Sequence, residues 1–222
     1  MVKKLIMPCM AVAAFAAFVP ATASATNDPQ LTEGVSLVPT QATIVGTATN
    51  TLFTNTEGTS TLVTCSKAQL TGALKVNHVS TVEVEVPKGS AIFEGTGAKH
   101  AHNNLPECTG SFGNAYITVT SALCVRSDAT MATDEFQATG CGANKVKFTI
   151  GSTTLGTCEY EATGAVKGTY TTNGSEAQMT TINNSAGSGA KLTNGVFFCP
   201  TSGSLGMTFS LETTNGTKLT IS

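Results

Sequence analysis

Two histidines stand two positions apart at His100-Ala101-His102, and on an extended segment the side chains at i and i+2 leave the same face. Both imidazoles could therefore reach one metal ion. Glu94, Asn103 and Glu107 lie nearby in sequence. A metal site draws three or four ligands of defined geometry, and Gly95 and Gly97 mark the stretch as a loop. His100 and His102 are candidate metal ligands, and a solvated surface loop is the plainer explanation. His78 is alone.

Asp128, Asp134 and Glu135 form the closest carboxylate cluster of the second half. Paired carboxylates suit glycoside hydrolysis, where their separation in space sets the mechanism. Neighbours on a strand point to opposite faces, and turn or capping roles account for these acids. Ser202-Gly203-Ser204-Leu205-Gly206 has the outline of a nucleophile elbow. That motif wants glycine at position 202 and a helix after it, whereas a strand pattern follows. No catalytic residue and no cofactor is expected.

The cysteines speak about compartment. Lys3 and Lys4 precede an apolar run over Leu5–Val19, and Ala23-Ser24-Ala25 offers a small-residue cleavage site before Thr26. This is the layout of a secretory signal peptide over residues 1–25. The run is short for a membrane anchor, and Pro8 interrupts it. Cys9 precedes the apolar run instead of following it, a poor position for lipidation. Beyond the signal, Cys65, Cys108, Cys124, Cys141, Cys158 and Cys199 form an even set without a C-x-x-C pair. In an exported chain that reads as disulfides. Six cysteines allow about 15 pairings. One specific pair, Cys141 with Cys158, is expected if their strands are neighbours across Lys145–Ile150.

The chain carries 12 basic and 14 acidic residues. Loss of the two signal lysines leaves a net charge of −4 on the remainder. No basic stripe exists for phosphate binding, so nucleic acid is not an expected partner. No later segment is long and apolar enough to span a bilayer. A secreted, extracellular location follows, with a cell-surface protein or glycan as the kind of partner. Sugar sites commonly stack on aromatic faces; this chain has no Trp and 3 Tyr, and Tyr116, Tyr160 and Tyr170 fall in strand-like runs. Thr47-Ala48-Thr49 and Thr118-Val119-Thr120 have the local form of an ice-binding ladder, without the regular spacing a flat array needs.

Strands must position whatever site exists. Thr81–Val86 alternates three valines with two glutamates, and Tyr116–Thr120, Lys145–Ile150 and Met207–Leu211 alternate likewise. These are half-buried strands. Asn-Gly pairs at 173–174, 194–195 and 215–216 predict hairpins, because both residues tolerate positive φ. Ala165–Thr171 should return along Glu176–Ile182, Ala190–Thr193 along Val196–Cys199, and Leu205–Glu212 along Thr217–Ile221. Pro87-Lys88-Gly89 predicts a turn. His100–Pro106 and Asn183–Gly189 read as loops. Ser127–Phe136 is the one helix candidate, capped by Ser127 or Asp128.

Thr61–Cys65 followed by Thr71–Lys75 is echoed by Thr154–Cys158 followed by Thr163–Lys167, either a repeated β-unit or coincidence in a Thr/Gly-rich chain. Around Thr64-Cys65-Ser66 and Leu70-Thr71-Gly72, and again at Phe136–Cys141 and Cys158-Glu159-Tyr160, the chain resembles small secreted cysteine-containing β-proteins of high-GC actinobacteria. The resemblance spans about residues 45–175. It implies export and a β-fold, and it carries no assigned activity.

The expected architecture is a disulfide-stapled, all-β Greek-key sandwich over residues 26–222. Two packed sub-units at about 26–125 and 126–222 are a variant of it, and a β-solenoid is the alternative. The expected role is a non-catalytic structural or interaction protein, with a glycan-binding module and a secreted hydrolase as the other classes.

Overall fold

The structure is a computed structural model that describes residues 28–221, except 56–60, 79, 100, 102–103, 112, 133, 143, 153–155, 172–173, 175 and 181–188. The segment read as a signal peptide lies outside the described residues, as do His100 and His102. Among the described residues seventeen strands follow one another: β1 (Leu31–Glu33), β2 (Ser36–Leu37), β3 (Thr43–Asn55), β4 (Thr61–His78), β5 (Thr81–Val86), β6 (Ala91–Glu94), β7 (Cys108–Gly110), β8 (Gly113–Val119) and β9 (Leu123–Asp128). Then come β10 (Glu135–Gly140), β11 (Lys147–Ser152), β12 (Gly156–Ala162), β13 (Val166–Tyr170), β14 (Glu176–Thr180), β15 (Ala190–Gly195), β16 (Ser202–Thr213) and β17 (Thr220–Ile221). The all-β class is therefore what the chain adopts.

Fourteen strands belong to one hydrogen-bonded system, and its pairing closes on itself twice. One ring runs β3-β4-β5-β9-β10-β13-β14-β16 and returns to β3. The other runs β3-β4-β7-β8-β11-β12-β15-β16 and also returns to β3. The chain thus builds two eight-stranded barrels that share the three long strands β3, β4 and β16. The outer edge of β4 is divided between them: Val63 and Thr64 pair with β7, Lys67–Leu70 with β6, and Ala73–His78 with β5. Every ladder among the described residues is antiparallel, which excludes the parallel coil of a β-solenoid.

After β5 the chain alternates between the barrels. β7 and β8 belong to the second, β9 and β10 to the first, β11 and β12 to the second, β13 and β14 to the first. A division near residues 125 and 126 would cut β9 in the middle. The echo around Cys65 and Cys158 is not a structural repeat. Cys65 and Thr71–Lys75 lie on the single strand β4, while Cys158 and Val166 lie on separate strands β12 and β13.

Alternation fills each barrel from the inner faces of its strands. Ile44, Leu70, Leu74, Val82, Val86, Leu123, Phe136 and Phe209 are buried in the first. The second is filled by aromatic rings. Phe53, Phe148 and Tyr160 lie with ring centroids 5.2–5.7 Å apart. The buried positions of β3 shift phase between Ala48 and Thr51, at the passage from one barrel to the other. Asn50, with φ 59°, sits at that shift, in a left-handed conformation that asparagine tolerates better than most residues.

The shift also turns the Thr51 side chain inward, where its Oγ1 is fully buried without a hydrogen-bond partner. A buried unpaired hydroxyl carries a desolvation cost. Thr51→Val removes it at nearly constant shape. The expected result is a stabilisation of about 1 kcal/mol, read as a higher urea midpoint at unchanged slope. A loss of stability would show that this hydroxyl has a partner in solution.

The remaining three strands form a small sheet in the order β17-β1-β2. Leu31, Val38, Leu219 and Ile221 of this region are buried in the common core. It is tied down by Asn77 on β4: the Leu31 N–H donates to Asn77 Oδ1 at 2.9 Å, and Asn77 Nδ2 donates to the carbonyls of Leu31 and Val38, each at 2.8 Å. One amide side chain thus completes backbone pairing that no strand supplies.

Candidate functional site

The sites expected to do chemistry resolve into structural roles. Asp128 ends β9 and accepts from the backbone N–H and the hydroxyl of Thr130. Arg126 Nε is 2.9 Å from its carboxylate. The Thr130 hydroxyl, and Arg126 more weakly, hold the Asp128 carboxyl below its ordinary range. This is a turn, not the helix expected over Ser127–Phe136. The strand β9 continues to Asp128, and the Asp128 side chain satisfies the turn's donors in place of a helical ladder. Glu135 opens β10 and receives Lys167 Nζ at 2.9 Å and Gln137 Nε2 at 3.1 Å, and the lysine is the main cause that lowers its pKa. Asp134 lies between them in the left-handed region, with φ 61°.

Arg126, Asp128, Glu135, Gln137 and Lys167 line a groove of about 650 Å³ on the outer wall of the first barrel, with Thr130, Met131 and Thr139; Asp134 is not part of its lining. Within it Arg126 meets Asp128 and Lys167 meets Glu135, so the charges are largely spent on one another. Glu94 lies on β6 and pairs loosely with Lys67 at 3.9 Å. Among the described residues no group of three or more His, Cys, Asp or Glu is placed to hold a metal ion. Ser204 is buried within β16, 3.3 Å from the Thr54 hydroxyl, and does not stand on a turn.

The three tyrosines serve packing. Tyr170 is buried; Tyr160 is buried and donates to the Pro200 carbonyl at 3.0 Å. Burial pushes its phenol up to about 12. The Tyr116 ring lies across Gly151 on the paired strand, where a Cβ would stand 2.1 Å from the ring.

All six cysteines among the described residues form disulfides: Cys65–Cys108, Cys124–Cys141 and Cys158–Cys199. The expected Cys141–Cys158 bridge is wrong. The β9–β10 register sets Thr139 opposite Cys124, which brings Cys141, just past the strand, back to β9. The chain then crosses to the other barrel, where Cys158 on β12 faces Gly195 of β15. The hairpin expected between Ala190–Thr193 and Val196–Cys199 is also absent. β15 runs through Asn194-Gly195, and the turn comes later, with the Cys199 N–H bonded to the Val196 carbonyl at 2.9 Å.

That displaced turn holds the feature the sequence reading missed. Val196-Phe197-Phe198 is an apex at the rim of the second barrel. Phe197 is 95% exposed and Phe198 55%. The two rings meet edge to face with centroids 5.5 Å apart. Cys199, bonded to Cys158, anchors the apex at its base. Two adjacent phenylalanines cannot both face inward on a strand, which is the signal that would have found them. Three disulfides fit an oxidising environment, and no helix among the described residues is long and apolar enough to cross a membrane. No protein-family model matches the chain, no curated protein matches it, and no solved structure matches it.

Proposed function

We propose that the chain is an exported, non-catalytic interaction protein that attaches reversibly to a lipid surface through the apex Val196-Phe197-Phe198. The reading rests on one observation, the near-complete exposure of Phe197 beside a half-exposed Phe198 on a disulfide-anchored turn. Large apolar groups left in water on a fixed loop mark a contact site. Two phenyl rings and a valine fall well short of the roughly 800 Å² per partner that a stable protein interface buries. They suit a wedge better than a footprint. Aromatic rings favour the bilayer interface, and the neutral flanks Asn194, Gly195, Pro200 and Thr201 require no anionic headgroup.

Burying a phenyl side chain is worth about 1.5–3 kcal/mol, so one apex supports only weak, millimolar-range attachment. Export is supported by the signal-like start and the three disulfides.

Co-sedimentation with phosphatidylcholine vesicles tests this. The mature protein should sediment with increasing lipid, and Phe197→Ser/Phe198→Ser should stay in solution at unchanged thermal stability. A wild type that never sediments, or a double variant that sediments equally, overturns the reading.

A further inference from the structure

The two barrels are filled differently. The second carries three large rings at its centre. The first is lined mainly by aliphatic residues, with Phe136 and Phe209 among them, and leaves a cavity of about 90 Å³. Val84, Val125 and Leu211 line it, pack on the core and are still only half-buried. Gly46 and Gly72, on the paired strands β3 and β4, leave its wall bare. At Gly72 the bareness is imposed, because a Cβ would stand 2.7 Å from the Glu85 carbonyl and 2.8 Å from Val84. The hydroxyl of Ser127, which also lines the cavity, donates to the Glu135 carbonyl at 2.6 Å. The wall thus offers no cluster of free polar groups, and a water needs two to four polar partners to settle in such a space. Leu31 and Ile221 of the small β17-β1-β2 sheet also border it, so the cavity reaches the cap that Asn77 ties down.

We propose that this cavity is a binding site for a small apolar molecule of a few heavy atoms, such as a short hydrocarbon. Eight-stranded barrels either fill with side chains or hold one small ligand, and the roomier space is that of the first barrel, about 90 Å³ against about 60 Å³ beside the ring cluster of the second. The volume sets the class, since it is smaller than the 150 Å³ apolar cavity known to take benzene and far too small for a lipid chain. The site is independent of the Phe197 apex and lies in the other barrel.

Xenon and propane are the probes. Methyl spectra of Ile/Leu/Val-labelled mature protein should show saturable shifts at Ile44, Leu70, Val84, Val125 and Leu211 as either gas is added. Ile117 and Ile150 of the second barrel should not move. Val125→Ile adds a methylene to the lining and should weaken propane binding about tenfold or more without lowering thermal stability. Leu211→Met is the second lining variant, should Val125→Ile fail to fold. Saturable shifts confined to the first barrel and weakened by the filling variant support the site. Their absence in the wild type, their spread over both barrels, or an unchanged response in the variant overturns it.

Discussion

Phe53→Ala is expected to cost about 3–5 kcal/mol and to lower the melting temperature by roughly 10 °C. Phe53 is 1% exposed and lies on β3, the central one of the three shared strands. Its ring meets Phe148 edge-on at 5.7 Å and Tyr160 at 5.2 Å, and those two stack at 5.3 Å. Below it is Gly203 of β16, where a Cβ would stand 2.3 Å from the ring tip. Phe53 therefore occupies space that its neighbours were cut back to provide. The site has little freedom to collapse, because β3 is held by β4 on one edge and by β16 on the other. The cost should thus fall in the upper part of that range. Phe53→Leu should recover about half of it. Equilibrium urea unfolding followed by far-UV dichroism gives the difference. A loss below about 1.5 kcal/mol would mean that the second barrel repacks around the gap.

The same ring cluster shows what local sequence could and could not tell. Phe148 and Tyr160 lie in runs readable as strands, and the alternation in Thr81–Val86 marks β5 residue for residue. The turns at Pro87–Ser90 and Thr213–Gly216 were equally legible, because positive φ at Gly89 and Gly216 needs glycine in place. β13 and β14 pair as the Asn173-Gly174 signal required. After Asn215-Gly216, however, the last strand pairs with β1, and only the Glu212–Lys218 bridge returns to β16.

Asn194-Gly195 misled, because its glycine answers a different need: a Cβ at Gly195 would stand 2.6 Å from the Cys199 sulfur. It makes room for a disulfide, not for a turn. The union of two rings through β3, β4 and β16 was not legible at all. It depends on which distant strands share an edge, and alternation carries no record of partners. The cysteine pairing failed for the same reason, since Cys141 and Cys158 are close in sequence but serve different barrels. Phe197 and Phe198 were hidden by reading them as strand, and the placement of His100 and His102 lies outside the described residues.

Of the three disulfides, Cys65–Cys108 should matter most when each is removed by a double alanine substitution. It closes 43 residues of sequence against 17 for Cys124–Cys141. Chain entropy alone gives about 4 kcal/mol for the longer loop and about 3 kcal/mol for the shorter. The structure widens that gap. Cys65 and Cys108 are both fully buried, so alanine also leaves a void. Their bridge stands at the seam where β7 joins β4 by only two residue pairs, Val63 with Gly110 and Thr64 with Thr109. That seam closes the second barrel. Cys124–Cys141 instead reinforces β9 and β10, which already share four pairs. Cys158–Cys199, spanning 41 residues, should fall between them in stability, because Cys199 lies on a turn beyond the ladder. Urea midpoints of the three double variants give the order. Hydrogen exchange should show early loss of protection in β7 and β8 of the Cys65→Ala/Cys108→Ala variant, with β9 and β10 retained. If removing Cys124–Cys141 costs more than removing Cys65–Cys108, the seam is not where the second barrel opens.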